Sequence, residues 1–152
     1  MDTRTTVLYV DDNPKSSQLL SSVLEECGFR VITRNDPMEA LALCRRSDFD
    51  IALLDYEMPA MTGSQLAREI KCLMPETPVV LISGRTSMPP AELEFVDAHF
   101  GFGTVLDDLL WSMRILAPPR VVVPEHKRQA SNHQAGHQNY GRAIESRWAD
   151  ST

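Results

Sequence analysis

The sequence predicts an α/β fold, a doubly wound five-stranded parallel sheet with helices on both faces and a C-terminal tail behind it. Apolar runs of strand length alternate with segments of helical period as far as residue 116, so that each strand is followed by a helix. The strand runs are nearly unbroken hydrophobic stretches, as strands covered on both faces must be. Two of them end in carboxylates, Asp11-Asp12 and Asp55, at the edge where open α/β sheets collect ligands.

Thr6 to Val10 (T-V-L-Y-V) reads as the first strand, stopped by Asp11-Asp12-Asn13-Pro14. From Pro14 the period turns helical through Leu19, Leu20, Val23 and Leu24, with Gly28 as the C-terminal stop. Residues 29–33 form the second strand, and residues 37–46 the second helix, with Met38, Ala40, Leu41, Ala42 and Leu43 on its apolar face. The third strand, residues 49–54, delivers Asp55 to its end, and Met58-Pro59 and Gly63 turn the chain. A third helix over residues 63–73 follows through Leu66, Ile70 and Leu73, then a fourth buried strand over residues 78–82. After Pro89-Pro90 comes a shorter, less regular fourth helix, then a weak fifth strand over residues 98–102. A last helix over residues 104–116 turns Leu109, Met113 and Leu116 to the core.

Pro118-Pro119 closes the regular part, giving a domain over residues 1–117 and a tail over residues 118–152, flexible or partner-docking. Residues 121–123 suit one more short strand or a docking strip. Residues 125–139, rich in Gln, Asn, His, Lys and Arg, lack the apolar period a core requires. Tyr140, Ile144 and Trp148, at i, i+4, i+8, leave open a helix with one apolar side, docked on a partner or on its own domain.

With 152 residues, 43% hydrophobic and 24% charged, the chain supplies one ordinary core. A net charge of -6 opposes nucleic acid or an acidic membrane as general partner. That charge is uneven: residues 1–117 carry a surplus of eight acids, and the remainder a surplus of two basic residues. Cys27, Cys44 and Cys72 lack C-x-x-C spacing and sit in helix-like segments, as buried thiols of a reducing compartment do. No charged start leads into an apolar leader and no run is long enough to span a bilayer, so the expected location is cytoplasmic.

Alone, Asp55 reads equally well as a cap for the following helix. If the first and third strands are neighbours, Asp11, Asp12 and Asp55 converge, and three carboxylates without a counter-ion raise one another's pKa. All-oxygen ligation suits Mg²⁺, while the absence of nearby His or Cys disfavours zinc. Such a site fits phosphoryl transfer with a carboxylate as nucleophile.

Over about residues 5–116 the chain resembles the receiver domain of two-component response regulators. V-L-Y-V-D-D-N-P carries the family's acidic pair at Asp11 and Asp12. L-L-D-Y-E-M-P-A-M-T-G carries its phosphoacceptor at Asp55, with Pro59 and Gly63 in their places. V-V-L-I-S-G carries its switch hydroxyl at Ser83 and its small residue at Gly84. The resemblance implies a flavodoxin-like five-stranded sandwich that is a signalling module and no enzyme. It also implies Mg²⁺ held by Asp12, Asp55 and the backbone carbonyl of Glu57, and through water by Asp11. The implied partners are a sensor histidine kinase or phosphotransfer protein and a downstream protein target.

One position departs. Where the family has a phosphoryl-contacting Lys the register places Phe102, and no Lys lies between Lys71 and Lys127. The lost contact is of a kind worth about 1.5 to 3 kcal/mol. Arg85, two residues beyond Ser83, is a substitute cation or an exposed loop residue. His99 or Phe100 falls at the family's switch aromatic, where an imidazole would bring pH sensitivity, and an ordinary edge-strand role for His99 is the alternative. His133 and His137 read as solvated, and Lys127-Arg128 is too short a basic run for nucleic acid.

The leading expectation is a stand-alone receiver in a phosphorelay, acting through the face of the fourth helix, fifth strand and last helix, where Trp111 is exposed or covers the core edge. The alternative is a phosphorylation-independent pseudo-receiver, an interaction module open to homodimerisation through that face. An aspartyl phosphohydrolase is the third reading, disfavoured because no general acid is placed two residues after Asp55, where Glu57 sits in a tight turn.

Overall fold

Strand side chains alternate between two hydrophobic layers, and that alternation fixes the architecture. A computed structural model describes residues 2–46, 48–101 and 104–122. Its strands are β1 (Thr6–Val10), β2 (Arg30–Arg34), β3 (Ile51–Asp55), β4 (Val79–Ile82) and β5 (Ala98–Phe100). They form one parallel sheet in the order β2-β1-β3-β4-β5. The helices are α1 (Pro14–Glu26), α2 (Pro37–Cys44), α3 (Gly63–Leu73) and α4 (Leu106–Leu116). On one face Val7, Tyr9, Ile51, Leu53 and Val80 pack with Leu24 of α1 and with Leu109 and Met113 of α4. On the other, Leu8, Val10, Ala52, Leu54 and Leu81 pack with Ala40 of α2 and with Leu66, Ala67 and Ile70 of α3. This is the flavodoxin-like sandwich, with β3 at its centre between β1 and β4.

Local chemistry sets the helix ends. Asn13 accepts from the Lys15 and Ser16 amides and Asp36 from the Met38 amide, each just before a Pro in the first turn. Thr62 and Gln65 form a reciprocal capping box at the start of α3. Gly28, at φ 91°, supplies the left-handed residue that ends α1. The Arg114 guanidinium donates to the Cys27 carbonyl there and lies 4.8 Å over the Phe29 ring.

Several bounds differ from expectation. β2 lies one residue later than residues 29–33, and α2 ends at Cys44 rather than at residue 46. β3 begins at Ile51 because Asp50 is a bend whose carboxylate accepts from the Thr6 amide at 2.7 Å. The fourth helix is a single 3₁₀ turn, Pro90–Leu93: a pair of prolines removes two donors, and Asp97 is already hydrogen-bonded to Val79 at the start of the next strand. α4 begins at Leu106, two residues into the expected span. Leu19, Met38 and Leu73, expected on buried faces, are exposed, and Trp111 is exposed on α4.

One compact unit runs from Met1 to Arg120. Beyond the expected domain end at residue 117, Arg120 donates its amide to the Thr3 carbonyl and its guanidinium to Asp50. The remaining expectations for the tail, including the 140–148 helix and His133 and His137, lie outside the described residues. No described helix is long and apolar enough to cross a membrane.

Candidate functional site

Parallel register brings the acids together. Val10 of β1 pairs with Leu54 of β3, so Asp11, just past β1, and Asp55, the last residue of β3, stand at the same level of the sheet. Carboxylate oxygens of Asp11, Asp12 and Asp55 lie within 4.8 Å of one another. Asp55 in turn pairs with Ile82, which sets Ser83 just beyond the end of β4. A cleft lined by Asp11, Asp12, Asp55, Glu57 and Ser83 opens over this edge, and no Lys or Arg is among its described lining residues.

Asp11 is 5% exposed and held at every polar atom. Its Oδ2 accepts from the Tyr9 hydroxyl at 2.7 Å and its Oδ1 from the Asn13 amide at 2.9 Å. Its carbonyl accepts from Asn35 Nδ2 at 2.7 Å, and its amide donates to the Arg34 carbonyl. Burial, then the bond to Asp11, pushes the Tyr9 phenol well above its ordinary range, so it stays a donor. Neither Tyr9 nor Asn35 stands out in the sequence as a site residue. The one signal is spacing, Tyr9 standing two residues before Asp11, and spacing alone does not say that the hydroxyl donates.

Asp55 is half-buried, and its pKa is pushed up to about 6. Burial is the largest cause and Asp11 the next; the Glu57 amide, 3.4 Å from Oδ1, pulls weakly the other way, while Asp12 and Glu57 add repulsion. The α3 start is pressed against this residue. A Cβ on Gly63 would strike the Asp55 carbonyl and come 2.6 Å from Leu81 Cδ1, so only glycine lets the helix begin here.

The Ser83 hydroxyl accepts from the Arg85 amide at 2.9 Å and lies 3.8 Å from Met88 Sδ. Arg85 is more than half exposed yet anchored, its guanidinium 5.2 Å over the Tyr56 ring and its Nε 3.8 Å from Glu57 Oε1. That pair is too solvated to count for much stability. His99 stands opposite Leu81 with its Nε2 buried and unpartnered, and Phe100, opposite Ile82, packs in the layer of α1 and α4. Phe102 lies outside the described residues.

A divalent cation suits these donors. They are hard oxygens, and a cation would relieve the repulsion that Asp11, Asp12 and Glu57 add to the burial of Asp55. His and Cys, which zinc favours, are absent from the cluster.

Comparison with known proteins points the same way. The chain is 39% identical over 85 residues to the hydrogenase transcriptional regulatory protein HoxA of Cupriavidus necator, covering 56% of this chain and 17% of that protein. It is 30% identical over 144 residues to protein-glutamate methylesterase/protein-glutamine glutaminase 3 of Hahella chejuensis, covering 84% and 41%. The chain thus spans less than half the length of these relatives. Among solved structures it superposes on the response regulator TrrA of Thermotoga maritima, crystallised in complex with Mg²⁺-BeF, with a TM-score of 0.69 and 26% identity over 74% of this chain and 98% of that one. TrrA has also been solved in complex with the histidine kinase ThkA. Chemotaxis protein CheY4 of Vibrio cholerae superposes with a TM-score of 0.67 and 27% identity over 74% and 98%. The family model of the response regulator receiver domain matches residues 7–100, which takes in the sheet from β1 to β5 together with the three aspartates and Ser83, and the chain belongs to that family of two-component signalling modules.

Proposed function

We propose that Asp55 accepts a phosphoryl group from a histidine kinase or phosphotransfer protein, with Mg²⁺ held by Asp11, Asp12, Asp55 and the Glu57 carbonyl. The observation that carries this reading is the convergence of three carboxylates within 4.8 Å at the C-terminal edge of a parallel sheet. An Asp55 oxygen attacks phosphorus as the P–N bond of a phosphohistidine donor breaks, and the donor imidazole leaves with the electron pair. Bound Mg²⁺ supplies neutralisation of phosphoryl charge. The Asp55 carboxylate is presented by β3 and accepts from the Glu57 amide, while Gly63 lets the start of α3 lie against the Asp55 backbone. Ser83, released from the Arg85 amide, turns to the new phosphoryl group, and the loop after β4 follows.

The output is a protein contact and no reaction of the domain's own. Trp111 and Ile115, exposed one turn apart on α4, offer an apolar strip to a downstream protein or a second copy of this chain. Where the chain acts, the cytoplasm fits a kinase-fed module best. A second reading, a phosphorylation-independent interaction module, draws on the sequence: no Lys between Lys71 and Lys127 is there to contact a phosphoryl group.

Incubation with acetyl phosphate and Mg²⁺, followed by intact-mass measurement, decides between them. A gain of one phosphoryl group that is absent in Asp55→Asn and in EDTA supports the receiver reading. No gain favours the interaction module, and steady release of inorganic phosphate would point to a phosphohydrolase.

A further inference from the structure

We propose that Tyr9 is a positioning residue for the divalent-cation site: its phenol fixes the Asp11 carboxylate in the orientation from which it serves a Mg²⁺ ion shared with Asp12 and Asp55. The inference rests on the reading of this edge as a Mg²⁺ site. Tyr9 is 1% exposed and its ring lies in an apolar layer with Val7, Leu24 and Leu53, where phenylalanine would pack as well. A buried hydroxyl is costly unless it is hydrogen-bonded, so its presence calls for a partner. That partner is Asp11 Oδ2 at 2.7 Å, a charge-assisted bond. The Asn13 amide holds the other oxygen, and Asn35 and Arg34 hold the backbone, so the hydroxyl completes a cradle in which the carboxylate has no freedom to turn. Without it, Oδ2 is left buried among acids, and the carboxylate swings away from Asp12 and Asp55 before any cation arrives. Pre-orientation of this kind is what distinguishes a formed metal site from three nearby acids.

Calorimetric titration of Mg²⁺ into the wild type, Tyr9→Phe and Tyr9→Leu tests this, with thermal melts of each in EDTA. Loss of one charge-assisted hydrogen bond should weaken Mg²⁺ binding about tenfold in Tyr9→Phe. Tyr9→Leu should weaken it by the same factor although it melts much lower, because affinity follows the hydroxyl and stability follows the ring. In the wild type, Mg²⁺ should also shift the near-ultraviolet absorption of tyrosine, a shift that Tyr9→Phe lacks. Unchanged affinity in Tyr9→Phe, an affinity loss that grows with loss of stability in Tyr9→Leu, or no tyrosine shift would overturn the inference while leaving the Mg²⁺ site standing. A wild type that binds no Mg²⁺ would remove both.

Discussion

Asp55 keeps its proton to a higher pH than an ordinary carboxylate, and the sign of the effect is testable. Its folded pKa of about 6 lies above the ordinary 3.8, chiefly through burial and then through Asp11. Between those values the fold binds more protons than the unfolded chain, so the contribution of Asp55 is fully present below about pH 4 and lost as pH rises through about 6. Asp55→Asn should therefore stabilise the cation-free protein at about pH 8 by about 1 kcal/mol, after discounting for the solvent that reaches this carboxylate, and the gain should fade toward about pH 4. Thermal melts in EDTA across that range check it. The acids were legible from residue type and strand position. Tyr9 was not, because in an apolar run a tyrosine counts as core, and its donor role appears only once the ring's neighbours are known.

Elements were legible where a local signal and a tertiary contact agree. α3 falls where the sequence puts it, because Thr62 and Gln65 cap its start while Leu66, Ala67 and Ile70 face the sheet. Thr62→Ala should cost about 1 kcal/mol in urea unfolding, with loss of the box that aims the helix at Asp55. Elements were misread where the two conflict. Leu19 and Leu20 share a helical period with Leu24, yet only Leu24 is fully buried, because hydrophobic spacing does not say how wide a stripe the sheet can cover. The expected helix after Pro89-Pro90 shrinks to one turn for a reason of length: the chain must reach Asp97, whose carboxylate already accepts from Lys71 and the Val79 amide.

At the level of the whole molecule, strand order was not written in the apolar runs themselves. The acids pointed only to a condition, that the first and third strands be neighbours, and the register of Val10 with Leu54 meets it. The end of the compact unit was less legible. Pro118-Pro119 reads as a stop, yet Ala117 accepts from the buried Thr5 hydroxyl at 2.9 Å, and Arg120 is tied to Thr3 and Asp50. A chain ending at Leu116 should be less stable than one ending at Arg120 by about 1–2 kcal/mol, since the shorter chain leaves the Thr5 hydroxyl buried without its acceptor. Paired melts of the two truncations measure it.

The single turn between β4 and β5 has a dynamic corollary. A regular helix ties its amides into one cooperative ladder, whereas residues 83–97 hold theirs through scattered bonds such as Arg85 to Ser83, Glu92 to Pro89 and Val96 to Leu93. Deuterium uptake should therefore run fastest here among the stretches linking the described strands, by excursions too small to disturb β1 or β3. The loop that begins at Ser83 would then be loosely latched in the resting fold.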